Sequence, residues 1–329
     1  MTTERREATP HDGAETPTTG ASVTVNLGPN AAGPGDMIVV GYDCSAGAEA
    51  ALAWALDEGR RLAMRVCLVY VLEWPVHIEP IAQRPVGWPD SQFRSDAEAV
   101  VEDAAADAAR SAPDVTVRSA VLEGPVAATL CALSAQARMI VLGHRGRGGF
   151  SGLLVGSVSV AVTAHAHCPV VVVRGGSPDE QRDLPVAVGV DDSVTARLAV
   201  GFAFEEAASR GVGLVAVRAW QPPPVPWRSD VRPLALDADE LETAEWHALH
   251  EALAQWRKTY SAVNATPRLL PGNASHALVT QSQGAQLVVV GSRGRGGFAG
   301  LLLGSVSQQL LHHAHCPVAV VREIGSARE

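Results

Sequence analysis

The sequence predicts an α/β chain made of two tandem domains, each a parallel sheet with helices on both faces. At 329 residues the chain exceeds the size at which single cores usually stop growing. Residues 143–174 and 291–322 carry the same residue at 23 of 32 positions, at an offset of 291 − 143 = 148. Short apolar runs alternate with helix-length segments in both halves, which is typical of βαβ units with right-handed crossovers.

The elements of the first copy follow in order. The apolar run 37–40 is a buried strand ending at Gly41, and Ser45 caps the helix after it. A third strand begins at 115, and a helix from 124 to about 136 follows it. The remaining strands are predicted at 66–71, 139–142 and 170–173, with an Ala-rich helix at about 91–111, and the second copy repeats the order from strand 186–188 to strand 318–321.

The domain boundaries follow from the repeat and from composition. The first residues are rich in Thr, Gly, Pro and Ala and show no periodicity, so they are predicted to be disordered. A Gly, Ser, Pro and charge-rich stretch separates the two copies and predicts a linker. The predicted division is an N-terminal tail at 1–35, domains at 36–174 and 184–323, a linker at 175–183 and a C-terminal tail at 324–329.

Charge and cysteine content narrow the class of protein. The net charge of −9 argues against broad attraction to nucleic acid or to an anionic membrane, so neither is an expected partner. The five cysteines contain no C-x-x-C pair, which fits a reducing compartment better than a disulfide framework. No apolar leader segment and no run of about 18 apolar residues is seen. We therefore expect a cytoplasmic protein.

A glycine-rich loop with the pattern G-x2-G-x9-G-S follows the fourth strand of each copy. Its glycines let the backbone approach a ligand, and the serine opens a helix whose N–H groups can bind phosphate. Read alone, such a loop is equally compatible with a flexible connector. The strand-to-helix position, the intact recurrence and the nearby Arg145 and Arg147 favour a phosphate site. It is neither a Walker A loop nor a dinucleotide fingerprint.

The segments 165–168 and 312–316 contain His and Cys, the usual donors to transition metals. They fall at predicted helix ends before a proline, where His favours the carbonyl end of the helix dipole and Cys enters the core. We therefore expect no metal site. No nucleophile elbow, H-E-x-x-H or activated Cys–His pair is present, so no catalytic residue is assigned.

The loop pattern, joined to the sequences GYDCS at 41–45 and GVDDS at 189–193, resembles the universal stress protein family in its tandem-domain, ATP-binding branch. The resemblance implies two adenine nucleotide alpha hydrolase-like (Rossmann-like) domains. Each would hold a five-stranded parallel sheet in the order 3-2-1-4-5 and an ATP site, with Mg²⁺ plausible on the phosphates.

The resemblance also assigns roles to residues. Asp43 and Asp191 would lie beside the ribose and adenine, where their free carboxylates suit a pair of hydroxyls. The backbone near Val71 and Ala219 would face the adenine edge. The expected ATP-binding set is Gly41, Asp43, Val71, Gly143, Gly146, Gly156, Ser157 and Val158 in the first copy, and Gly189, Asp191, Ala219, Gly291, Gly294, Gly304, Ser305 and Val306 in the second.

Three functions remain open on the sequence. The first is a regulator in the stress response that changes its contacts with partner proteins, not identified by the sequence, when ATP binds. The second is a slow ATPase or adenylate-forming enzyme that uses the same cleft. The third is a nucleotide-independent dimerisation module, because the apolar fifth strands could pair between the copies or between the chains of a homodimer.

Overall fold

The computed structural model of the chain describes residues 35–73, 90–147, 154–175, 181–221, 238–295 and 302–323. The tails, most of the linker and the middle of each glycine-rich loop lie outside these residues.

The strands of both copies join one ten-stranded sheet, in the order β3-β2-β1-β4-β5-β10-β9-β6-β7-β8. Within each copy the neighbouring strands are parallel and the order is 3-2-1-4-5, so the predicted fold is confirmed. The strands are β1 Met37–Gly41, β2 Arg65–Leu72, β3 Val117–Glu123, β4 Met139–Gly143, β5 Val170–Val173, β6 Val186–Gly189, β7 Leu214–Trp220, β8 Ala265–Pro271, β9 Leu287–Gly291 and β10 Val318–Val321.

Helices cover both faces of this sheet. One core is formed beneath α1, α2, α5 and α6, and the other beneath α3, α4, α7 and α8, and both cores run through the two copies. The helices are α1 Ala46–Leu62, α2 Asp90–Ser111, α3 Val126–Leu133, α4 Ser157–His165, α5 Val194–Arg210, α6 Ala238–Thr259, α7 Ala274–Gln281 and α8 Ser305–His313.

Two predicted boundaries are wrong by a few residues. Helix α3 stops at Leu133 rather than near 136, because Ala135 and Gln136 donate to carbonyls three residues back and so form tight turns. Strand β3 begins at Val117 rather than 115, because the Val115 N–H bonds to the carbonyl of Ala112 in a turn.

The fifth strands of the two copies pair with each other, and this pair alone runs antiparallel among the described strands. Val171 lies opposite Ala319, its own counterpart at the offset of 148, so the pairing is centred on a local twofold axis. The sequence left open whether these strands pair between copies or between chains. They pair between the copies, which leaves them no edge for the expected homodimer.

Two equivalent arginines reinforce this junction. Arg174 donates to the carbonyls of Leu310 and Leu311 at the end of α8, while Arg322 donates to the carbonyl of Thr163 in α4. Each guanidinium thus meets the carbonyl end of a helix in the other copy, where a cation is favoured by the helix dipole. The junction is isologous, like the interface of a symmetric dimer.

A buried charge cluster lies where α1 meets α5. Glu58 and Glu206 occupy the same position in the two copies and are both about 1% exposed or less. Arg210 donates to Glu58 at 2.5 Å and to Glu206 at 2.8 Å, and its guanidinium lies 5.4 Å from the ring centre of Trp54. Arg61 also donates to Glu58. One buried arginine therefore serves two buried carboxylates.

This cluster predicts a pH dependence of stability. Burial, followed by the charge of Glu58, raises the pKa of Glu206 from its usual 4.5 to about 7, while Arg210 and Arg61 oppose the rise. The folded state then binds more protons than the unfolded state between these values. This group's contribution is complete below pH 4.5 and is lost as the pH rises through 7. We expect Glu206→Gln to flatten the change in unfolding free energy between pH 5 and pH 8, as measured in urea.

Candidate functional site

A cavity opens in each copy where the carboxyl ends of its parallel strands meet the first turn of a helix. It lies in the first copy at the ends of β1, β2 and β4 and at the start of α4, and has a volume of about 390 Å³. The second copy has a matching cavity of about 440 Å³ at β6, β7, β9 and α8. Open α/β sheets place their ligands at such crevices.

The structure brings the expected site residues together. All eight residues named for the first copy line its cavity, and all eight named for the second copy line the other. The duplicated pattern therefore predicts one cluster of residues in each copy. Among the described residues, no group of three His, Cys, Asp or Glu side chains is arranged to hold a metal ion.

The carboxylate of Asp43 is not free, in contrast to the expectation from sequence. Its Oδ1 accepts the Ser45 N–H at 3.1 Å, and its Oδ2 accepts the Arg147 N–H at 2.8 Å. Asp191 does the same with the N–H groups of Ser193 and Arg295, at 2.9 and 3.1 Å. The aspartate therefore ties the start of a helix to the glycine-rich loop, and each oxygen keeps capacity for one more hydrogen bond.

The two ends of each glycine-rich loop are bonded to each other. In the first copy the Gly156 N–H donates to the His144 carbonyl at 2.8 Å, and the Ser159 hydroxyl donates to the Gly143 carbonyl at 2.8 Å. The second copy repeats both bonds at the same distances. The start of the following helix is thus fixed against the end of the fourth strand.

Three glycines of the repeated loop pattern lie too close to other protein atoms to carry a side chain. A Cβ on Gly143 would lie 2.4 Å from the carbonyl carbon of Gly47. A Cβ on Gly146 would lie 2.3 Å from Oδ2 of Asp43, and one on Gly294 would lie 2.6 Å from Oδ2 of Asp191. These distances are shorter than any real contact of a Cβ. The backbone of Gly47 explains Gly143, whereas at Gly146 and Gly294 the close neighbour is a carboxylate that backbone N–H groups hold in place.

Gly156 and Gly304 differ from them. They precede α4 and α8 with φ of −69° and −73°, which any residue adopts, and a Cβ would meet described atoms only at 3.7 Å and 3.4 Å. Neither helix has a side-chain cap, and the residues that carry its first N–H groups line the cavity. Packing and backbone conformation thus give little reason for glycine here, whereas a ligand close to these N–H groups would give one.

The sequence did not identify the apolar wall of each cavity. Val69, Val126, Leu130, Leu142 and Val155 line the first, and their types are those of ordinary core residues. The second cavity has Val217, Ala274, Leu278, Val290 and Leu303 at the same five positions. These apolar positions recur in both copies, and those in α3 follow the helical period. Ordinary core residues show the same pattern, so it does not identify a cavity wall.

One histidine, His144, lies directly after the strand that leads into the first glycine-rich loop. Burial, followed by the guanidiniums of Arg174 and Arg145, lowers the pKa of His144, so this side chain adds no positive charge at neutral pH.

Burial raises the pKa of Cys168 and of Cys316 to about 12, which fits their assignment as core thiols rather than metal ligands.

Two parallel α/β halves, each with a cavity at the carboxyl ends of its strands, define a tandem Rossmann-like protein with paired cavities. Comparison with known proteins makes the assignment specific: the model of the universal stress protein family matches residues 36–174 and 185–322. The chain belongs to the universal stress protein family.

Its relatives match it over nearly their whole length. A universal stress protein of Mycobacterium tuberculosis is 37% identical over 303 residues, covering 87% of this chain and 96% of the relative. One of Mycobacterium bovis is 35% identical over 319 residues, covering 87% and 94%. The crystal structure of a universal stress protein from Archaeoglobus fulgidus covers 88% of this chain and 99% of its own, with a TM-score of 0.67 at 19% identity, which supports the fold.

None of the helices in the described residues has both the length and the apolar character that a membrane span needs.

Proposed function

We propose that each cavity binds ATP and that the protein is a cytoplasmic, nucleotide-responsive regulator in the stress response. The observation that carries the proposal is the pair of glycines at the uncapped starts of α4 and α8. A helix N-terminus without a side-chain cap, opening into a cavity without a Cβ in the way, suits the phosphate of a nucleotide. Both copies show it.

The rest of each cavity suits the other parts of ATP. Its wall away from the loop is apolar, as a purine base requires, and the volume lies in the range of small-molecule sites. Asp43 and Asp191 keep acceptor capacity for ribose hydroxyls despite their bonds to the loop. Ser157 and Ser305, with the N–H groups after them, would face the phosphates. Mg²⁺ would arrive with the phosphates.

Occupancy of the cavity suggests how regulation would work. The loop that the phosphates would touch is tied through the aspartate to the start of α1 or α5. Leu154 and Leu302, at the end of each loop, are 43% and 49% exposed. ATP would therefore change the surface around these leucines, where partner proteins would contact the chain.

The test is the double variant Gly156→Ala, Gly304→Ala. Each new methyl group fits the protein but fills the space where the phosphates would bind, so we expect ATP affinity to fall at least about tenfold, or about 1.4 kcal/mol. Unfolding stability should change by less than about 1 kcal/mol per site, as for other N-cap changes. Equilibrium titration with ATP and Mg²⁺ gives the affinity.

A matched control is Gly284→Ala, because a Cβ there meets nothing within 4 Å and Gly284 lies outside both nucleotide cavities. It should leave ATP affinity unchanged. Absence of ATP binding to the unaltered protein would refute the proposal and favour a nucleotide-independent interaction module. Release of phosphate, ADP or AMP by the unaltered protein, absent in the double variant, would favour the enzymatic alternative.

A further inference from the structure

The two cavities differ at one wall, although their glycine-rich loops match. In the second copy Arg218 of β7, only 2% exposed, donates from both terminal nitrogens to the carboxylate of Asp192, at 2.9 and 3.0 Å. Its Nε also donates to Glu245 of α6. A bidentate pair of this kind has fixed geometry. Asp192 is therefore held in one orientation beside the loop.

This carboxylate in turn holds an arginine of the loop. The Nη1 of Arg295 lies 3.0 Å from Oδ2 of Asp192 and 3.9 Å from Oε1 of Glu245, while its backbone N–H bonds to Asp191. Arg295 lines the second cavity. Because only Nη1 makes these contacts, Nε and Nη2 keep their N–H donors for a ligand.

The first copy has none of this support. At the offset of 148, Cys44 replaces Asp192, Tyr70 replaces Arg218 and Ala97 replaces Glu245. The equivalent arginine, Arg147, is exposed, and in the part of the chain that the structure describes its side chain has no carboxylate within salt-bridge distance. Arg147 is also not among the described residues that line the first cavity.

We propose that Arg295 is a phosphate-contacting residue of the second cavity, held in place by Asp192 and Arg218, and that the two cavities are therefore inequivalent. The proposal rests on ATP binding to the cavities. An arginine ordered before binding loses less side-chain freedom when it meets a phosphate than one that is mobile. The second cavity thus distinguishes ATP from adenosine more strongly than the first. Asp192, Arg218 and Glu245 are positioning residues.

Neutralisation of the arginine charges by neighbouring carboxylates opposes this gain in phosphate binding. Asp192 and Glu245 together offset the charges of Arg218 and Arg295, which weakens the long-range attraction of Arg295 for an anion. When a phosphate is in contact with Arg295, the ordered N–H donors outweigh this loss of attraction, because Asp192 already accepts two hydrogen bonds from Arg218. The pair between Arg295 and Asp192 uses Nη1 alone, so Nε and Nη2 can donate to a phosphate without breaking it.

The experiment compares two equivalent substitutions in the full chain. Arg295→Ala is measured in a chain whose first cavity carries Gly156→Ala, and Arg147→Ala in a chain whose second cavity carries Gly304→Ala. ATP and adenosine are titrated into each. We expect Arg295→Ala to weaken ATP binding about fivefold more than Arg147→Ala does, with adenosine binding unchanged in both.

Asp192→Cys and Glu245→Ala introduce the residues that the first copy has, and they test positioning. They should reproduce part of the loss for ATP and none for adenosine. Equal losses from Arg295→Ala and Arg147→Ala, or equal losses for ATP and adenosine, would overturn this inference alone. Absence of ATP binding to the unaltered chain would overturn it together with the proposed function.

Discussion

Replacing Arg210 with methionine is expected to lower the free energy of unfolding by about 3–5 kcal/mol at pH 8. The substitution keeps much of the side-chain volume but leaves Glu58 and Glu206 buried without the cation that both of them contact. Oε1 of Glu58 already lacks a hydrogen-bond partner among the described residues. Urea denaturation followed by circular dichroism measures the loss, which should be smaller at pH 5, where Glu206 is protonated.

The control is Arg60→Met, which removes an arginine of α1 that bonds Asp57 and Asp114 at the surface. Exposed pairs contribute little, so this variant should unfold much like the unaltered protein. Adding Glu58→Leu and Glu206→Leu to Arg210→Met should recover most of the loss, because an apolar cluster needs no cation. A loss that persisted in the triple variant would show that Arg210 acts by packing on Trp54.

Replacing Gly146 with alanine is expected to weaken ATP binding more than Gly156→Ala does and to lower stability by about 1–3 kcal/mol. The new Cβ would lie 2.3 Å from Oδ2 of Asp43, so the carboxylate must leave the Arg147 N–H that it accepts. The first glycine-rich loop then loses its tie to α1, and the acceptor proposed for the ribose hydroxyls moves with it. Titration of ATP into chains that carry Gly304→Ala, with and without Gly146→Ala, gives the change in the first cavity against the same weakened second cavity.

A double-mutant cycle tests this cause. In a chain with Asp43→Ala the carboxylate is gone, so Gly146→Ala should have a much smaller further effect on stability and on ATP binding. Additive effects of the two changes would contradict the clash. Gly294→Ala with Asp191→Ala gives the same cycle in the second copy, where the predicted contact is 2.6 Å.

Much of the fold could be predicted from the sequence, because buried parallel strands are continuous apolar runs and the repeat shows them twice. The strand that pairs with each fifth strand could not be predicted. The runs at 170–173 and 318–321 are apolar on both faces, so no alternating pattern favours one neighbour over another. The pairing depends on the distance between the copies after each has folded. The spacing of residues along the sequence does not determine that distance.

The sequence predicted which residues lie at the candidate site, but it did not predict why each residue type is needed there. The sequence pattern predicted the same role for Gly146 and Gly156, namely to let the backbone approach a ligand. The structure separates them: Gly146 is required by Asp43, whereas Gly156 has room for a side chain. Glu58 and Glu206 were also hidden, since acidic residues on a helix are usually exposed. Their burial comes from the packing of one copy on the other.

The junction between the copies has a consequence for how such a chain can be rearranged. It is nearly symmetric in its strands and in Arg174 and Arg322, yet Arg210 has Leu62 as its counterpart in the first copy. A chain built from two first copies would keep Arg61 beside each glutamate but would lack the buried arginine that bridges the two, and one built from two second copies would bring two such arginines to the same place. Duplication of one copy has thus produced halves that are no longer interchangeable, and each is now an obligate neighbour of the other.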